Sequence, residues 1–217
     1  MYINDFFNSS SLFEFHLYAN DANLFYRNNS IQGLEDQINI ELANIQNWLL
    51  ANKLSLNIEK SNYIIFHSPQ KIIPYDTDLY INSERLKRVN NTSYLGVLID
   101  SSLNWKARVD FVAKKVKRSI GLLSKIRHFA SQNILVNLYY SLIYPFLTYG
   151  LITWGNTYPT TIKSLFVLQK KALRLISFSS FKDHSNPLFL RYKILKFPDI
   201  VFLHNAVFVY NFRAGNL

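Results

Sequence analysis

Apolar residues follow two periods along the chain: short, strand-like alternation before about residue 100, and repeats of three to four after it. In the first part, Phe15 to Arg27 reads FHLYANDANLFYR, with the aromatic runs His16-Leu17-Tyr18 and Leu24-Phe25-Tyr26 flanking a polar tip at Asn20-Asp21. Both tip residue types tolerate positive φ, so the spacing predicts a β-hairpin with Asp21 projecting from its turn. Leu34, Ile38, Leu42, Ile45, Trp48 and Leu49 then fall on one stripe, predicting an amphipathic helix over 30–54 with Gly33 weakening its first turn. The stretch Leu56 to Ser68 reads as a turn and a buried strand, Tyr63-Ile64-Ile65-Phe66, ending at Pro69. A proline-bounded loop over 69–77 leads to a second hairpin, LYI, NSE and RLKRV, with Asn82-Ser83 at its tip, and Thr92 to Asp100 follows as TSYLGVLID.

The longer period dominates from Leu103 to Phe129, where Val109, Val112, Val116, Ile120, Leu123, Ile126 and Phe129 recur every three or four residues. Further helices are expected at 132–144, in a broken segment at 146–154, and at 161–178 and 198–212, with Pro159, Pro187 and Pro198 marking boundaries. The fold class expected from this order is α+β. Residues 1–100 hold the hairpins, a helix and short strands, 101–130 a basic helix, and 131–217 a helical C-terminal region.

Charge changes this picture most. The chain of 217 residues carries 24 Lys and Arg against 14 Asp and Glu. Residues 1–110 hold 9 basic and 12 acidic side chains and residues 111–217 hold 15 and 2; from Phe111 through Lys182 there are 11 basic residues and no acid. A polyanion, most simply nucleic acid, is the partner such asymmetry implies, and a solvated basic face is the alternative. In the 103–129 helix the bases are Lys106, Arg108, Lys114, Lys115, Lys117, Arg118, Lys125 and Arg127, offset by Asp110 alone. A second basic stripe, Lys163, Lys170, Lys171 and Arg174, faces away from Leu165, Leu168, Leu173 and Ile176.

Other classes recede. Zero cysteines exclude disulfides and thiolate zinc sites, and the five histidines show no metal-ligand spacing. The chain opens with Asp5 and Glu14 and without a basic n-region, so no secretory leader is expected. Ile134 to Trp154 is uncharged and long enough to span a bilayer, but Pro145 and Gly150 break it, and buried core helices are expected instead. These features fit an intracellular location, nucleus or cytoplasm, without establishing it, and no membrane partner is expected.

The order MYIND, YANDANLFY, WLLANKLSLNIEKSNYIIF and SYLGVLIDSSLNW resembles the second half of the reverse transcriptase of non-LTR, jockey-like retrotransposons, over essentially the whole chain. The resemblance implies part of a polymerase palm up to about residue 100, then a thumb helix lying along a template–primer duplex. It places Tyr18-Ala19-Asn20-Asp21 where the family has Tyr-Ala-Asp-Asp, so Asp21 would be a Mg²⁺-binding carboxylate and Asn20 stands at the family's other aspartate. Lys60 matches the lysine that closes behind the incoming nucleotide and protonates departing pyrophosphate; a solvated lysine beside Glu59 is the alternative. Tyr94-Leu95-Gly96 resembles the primer grip, and Gly96 would let the backbone approach a ligand closely, or else form a strand bulge.

The family's fingers and its other palm aspartate would precede the residue where this sequence starts. Two readings are therefore carried forward. The first is a remnant of an RNA-directed DNA polymerase, with RNA template, RNA–DNA or DNA duplex and deoxynucleotides as the family's partners and Mg²⁺ as its cofactor. It is not expected to be catalytically competent alone, because Asn20 offers a neutral carbonyl where Mg²⁺ prefers a hard anionic oxygen. The second is a non-catalytic nucleic-acid-binding module that needs no metal.

Overall fold

In the computed structural model, which describes residues 4–19, 21–28, 33–71, 73 and 77–216, the strand-rich and helix-rich parts of the chain form two units, Met1–Asn90 and Asn91–Leu217. The boundary lies ten residues before the expected one. The segment 91–100, grouped above with the palm-like part, packs within the second unit.

The first unit opens with a 3₁₀ turn, Phe6–Ser9, and then the hairpin β1 (Glu14–Tyr18) and β2 (Asp21–Phe25), paired from Glu14↔Phe25 to Tyr18↔Asp21. Asp21, expected at the tip, is instead the first residue of β2, opposite Tyr18, and Ala19 has a positive φ of 52°. Asn20 lies outside the described residues. Helix α1 (Leu34–Ala51) is shorter than the predicted 30–54, beginning after Gly33 and ending before Asn52, whose backbone N–H reaches Trp48 O; residues 30–32 are not described. Its stripe behaves as the periodicity requires: Ile38, Leu42 and Ile45 are buried with Phe6, Leu79 and Ile81, and the Phe6 and Trp48 rings lie 4.8 Å apart.

A 3₁₀ turn at Ile58–Lys60 leads into β3 (Asn62–Tyr63). The buried strand expected over 63–66 does not form: β3 stops after two residues and Phe66 is exposed. Its partner is equally short. The second hairpin, β4 (Tyr80–Ile81) and β5 (Glu84–Arg85), has Asn82 and Ser83 at φ 53° and 61°, the turn its tip residues favour. The RLKRV run leaves this hairpin at β6 (Lys87–Arg88), which pairs in parallel with β3. Asn39 on α1 fixes the hairpin by donating to Asp78 O and accepting from Tyr80 N, at 2.8 and 2.9 Å.

The second unit begins with the hairpin β7 (Asn91–Tyr94) and β8 (Val97–Asp100), then helices α2 (Lys106–Ile126), α3 (Gln132–Leu142), α4 (Tyr144–Thr148), α5 (Leu151–Trp154), α6 (Pro159–Ser177), α7 (Asn186–Arg191) and α8 (Phe197–Arg213). The prolines at 159, 187 and 198 mark boundaries as expected, each in the first turn of a helix, α6, α7 and α8, where proline's missing N–H is already unbonded. The uncharged run 134–154 is divided among α3, α4 and α5, and no helix among the described residues is long and apolar enough to cross a membrane.

One core serves this unit, with Trp154, Tyr139, Leu123, Leu165 and Phe197 fully buried. Its main buried polar group is Gln169, which donates to Tyr139 Oη and Leu195 O and accepts from Phe197 N, each at 2.8 Å. This amide satisfies three otherwise orphaned groups and ties α3 and α8 to α6. Burial pushes the Tyr139 hydroxyl far above the ordinary tyrosine range, against the opposing hydrogen bond from Gln169 and with the neighbouring Tyr140 and Tyr144 adding to the rise.

Candidate nucleic-acid interface

The basic helix is launched by Asp100. Its carboxylate accepts from Ser102 N and Oγ, Asn104 N and Trp105 N at 2.8 to 3.2 Å, holding Leu103 and Trp105 in left-handed backbone, φ 53° and 64°. Asp100 is buried, which by itself would raise its pKa. The hydrogen bonds from Asn104, Ser102 and Trp105 outweigh that and hold it below the ordinary carboxylate value. Asn104 Oδ1 then accepts from Lys106 N at 2.8 Å, so α2 starts at one defined residue.

Within α2 the apolar stripe Val109, Val112, Ala113, Val116, Ile120 and Leu123 is buried, chiefly against α6. The same 3.6-residue period turns Lys114, Arg118 and Lys125 to the opposite side, with Gly121 between the last two, and all are exposed. They span 11 residues, about 16 Å of axis at roughly 1.5 Å per residue. A duplex presents about five phosphates per strand over that length, so three contacts on one strand fit. Lys106 and Lys117 are exposed on the flank. Lys117 shares a groove of about 390 Å³ with Lys171 of α6, between Gly121 and Ser124 on one side and Leu168 and Leu175 on the other.

The other three bases of this helix are engaged by the protein. Lys115 Nζ lies 5.4 Å above the Phe111 ring, and the Arg127 guanidinium 4.8 Å above Phe178. Arg108 departs furthest from the expectation of a phosphate-binding base. It is buried at 3% exposure, and its two terminal nitrogens donate to Gly96 O at 3.1 Å and Tyr149 O at 3.0 Å. Its guanidinium is also within 6 Å of the Phe111, Tyr149 and Trp154 rings. Desolvation holds its pKa below the ordinary arginine value, partly offset by Tyr149. Phe129, assigned to the apolar stripe, lies beyond the helix end and is 91% exposed.

Arg108 joins the helix to the primer-grip-like segment. Leu95 and Gly96 form the two-residue turn between β7 and β8, with φ 46° and 74°, and Tyr94 pairs with Val97 across it. Gly96 is thus a hairpin-turn residue rather than a bulge. Tyr149, which no sequence feature singled out, donates its hydroxyl to Leu95 O at 2.7 Å, and a Cβ on Gly96 would stand 3.3 Å from that hydroxyl. The turn is clamped from both sides, with Leu95 exposed at its apex.

The remaining site residues belong to the first unit. Asp21 is an exposed carboxylate at the hairpin end, and Lys60 is exposed at the end of its 3₁₀ turn, where its backbone N–H meets Asn57. Among the described residues no three His, Asp or Glu side chains gather as a metal site. Mg²⁺ is held by several hard oxygens, and one exposed carboxylate does not fit that need, so no catalytic step is assigned to these residues.

Over 164 residues, 74% of its length, the chain is 26% identical to the probable RNA-directed DNA polymerase from transposon X-element of Drosophila melanogaster. Over 163 residues it is 24% identical to the RNA-directed DNA polymerase from mobile element jockey of the same fly, and 26% identical to that of Drosophila funebris. The matched stretch amounts to 18% of the length of each relative. The similarity is therefore to RNA-directed DNA polymerases of jockey-like, non-LTR retrotransposons, as the motif order implied. No protein-family model matches the chain, and no solved structure matches it.

Proposed function

We propose that the second unit binds the phosphate backbone of a template–primer duplex, as the thumb part of an RNA-directed DNA polymerase, and that the chain does not polymerise by itself. The observation that carries this is the outward row Lys114, Arg118 and Lys125, joined on the flank by Lys117 and Lys171 in one groove, in a stretch of sequence that has no acid from Phe111 through Lys182 and follows the exposed Asp110. Such a row meets phosphates and not base edges, so it binds without regard to sequence. The Leu95-Gly96 turn, clamped by Arg108 and Tyr149, is the candidate for holding the primer end, because it is rigid and carries Leu95 exposed at its apex. On this reading, purified chain given primed RNA, Mg²⁺ and deoxynucleotides extends no primer.

The test is a titration of labelled RNA–DNA hybrid at several salt concentrations. Affinity should fall steeply with salt, with a slope near −0.9 per phosphate neutralised, judged on the duplex-DNA scale. Changing Lys114, Arg118 and Lys125 together to Gln should make the slope shallower by up to about three units, and equally for unrelated sequences. A salt-independent affinity, or a triple variant that binds like the parent, would mean that the row is only a solvated face.

A further inference from the structure

Helix α8 is apolar on both sides, and only its N-terminal half is covered, on one side. Phe197, Ile200 and Val201 are buried in the core, and Asn205 exchanges side-chain amide hydrogen bonds of 3.2 and 2.8 Å with Asn156. On the opposite side Phe202 is 75% exposed and Tyr210 71%, with Ala206 and Val209 exposed between them. A helix apolar all round is normally buried all round, and a contiguous exposed apolar surface marks an association site.

The order of residues on that side points to the occupant. At about 100° per residue, Asp199, Phe202, Ala206, Tyr210 and Arg213 lie within about 40° of one line through Ala206. The line is symmetric in position and opposite in charge about its centre. Asp199 and Arg213 stand seven residues to either side of Ala206, and Phe202 and Tyr210 four. Both charged residues are exposed, and neither forms an ion pair among the described residues.

From this we infer that α8 is a self-association surface: a second copy of this chain packs its α8 antiparallel across Ala206. Asp199 of each copy then meets Arg213 of the partner subunit, at both ends of an overlap of about 21 Å. The small Ala206 side chain lets the two backbones approach at the two-fold axis, and the aromatic rings of 202 and 210 fill the space on either side. A face built for an unrelated protein has no reason to place opposite charges at equal distances from its smallest residue. This inference is independent of the proposed nucleic-acid binding and is tested without nucleic acid.

Sedimentation velocity of the full chain over a concentration series should show a monomer–dimer equilibrium. Asp199→Arg and Arg213→Asp should each raise the dissociation constant about tenfold or more, because both symmetry-related contacts turn from attraction to repulsion. Combining the two changes in one chain should restore most of the affinity. So should mixing the two singly substituted chains, which then pair as one of each. Far-UV circular dichroism checks that each variant is folded. A chain monomeric up to about 0.1 mM, or association that neither the double change nor the mixture restores, would overturn the inference.

Discussion

Arg108 and Arg118 lie on the same helix ten residues apart, and the structure assigns them opposite work, so truncating each to Ala should give opposite results. Arg108→Ala removes the donor to Gly96 O and one of two donors to Tyr149 O, which keeps the Trp154 indole at 3.0 Å. A lost hydrogen bond from a charged donor is worth about 1.5–3 kcal/mol, and the cavity left by a buried side chain adds to that. Relief from burying a guanidinium without a carboxylate partner offsets part of the loss. The net expected destabilisation is about 2–4 kcal/mol, or roughly 5–15 °C in Tm for a chain of this size. Arg118→Ala, at an exposed position, should stay within about 0.5 kcal/mol of the parent.

Tryptophan fluorescence during urea unfolding, in a Trp48→Phe background that leaves only Trp105 and Trp154, reads the second unit alone. Hybrid binding measured on the same proteins, at a temperature where both are folded, should show the salt slope reduced by up to about 0.9 in Arg118→Ala and unchanged in Arg108→Ala. Equal stability of the two variants, or a slope lost on truncating Arg108, would refute the division of labour.

Asp100→Asn should lower stability at pH 7 by about 1–2 kcal/mol, because a carboxylate accepting three backbone N–H groups loses its charge. The folded-state pKa of Asp100 is depressed, so its contribution is fully present above the unfolded value of about 3.9 and disappears as pH falls through the folded value. Urea midpoints of parent and variant should therefore differ at pH 7, and the gap should begin to shrink below about pH 3.9 and close once the folded-state carboxylate is protonated; a gap that does not shrink with falling pH would contradict the capping role. Gly150→Ala should destabilise by about 2 kcal/mol or more, since φ is +64° and the added Cβ would lie 2.8 Å from Val97 Cγ2. Val97→Ala should recover the steric part in a double-mutant cycle, and strictly additive effects would show that the contact is not responsible.

Periodicity alone determined much of this protein. The stripes of α1, α2 and α6 were readable because a helix with one dry side must repeat its apolar residues every three or four positions, and burial at Ile38, Val116 and Leu165 follows that repeat. The turn at Asn82-Ser83 was readable because it needs residues that tolerate positive φ. The acid-free run to Lys182 and the motif order were also properties of the sequence itself, and the motif order agrees with the similarity to jockey-like polymerases.

What only the tertiary structure decided depends on which neighbour a residue meets. Strand β3 pairs with β6 over only two residues, a limit invisible in the apolar run Tyr63-Ile64-Ile65-Phe66. Arg108 carries the same side chain as Arg118, but it points toward carbonyls brought in from residues 96 and 149, so one arginine holds the fold and the other faces solvent. Charge is counted along the chain, whereas its use is fixed by burial. Likewise Phe202 and Phe197 are both phenylalanines of α8, and only the packing around the helix determines that one is core and the other is surface.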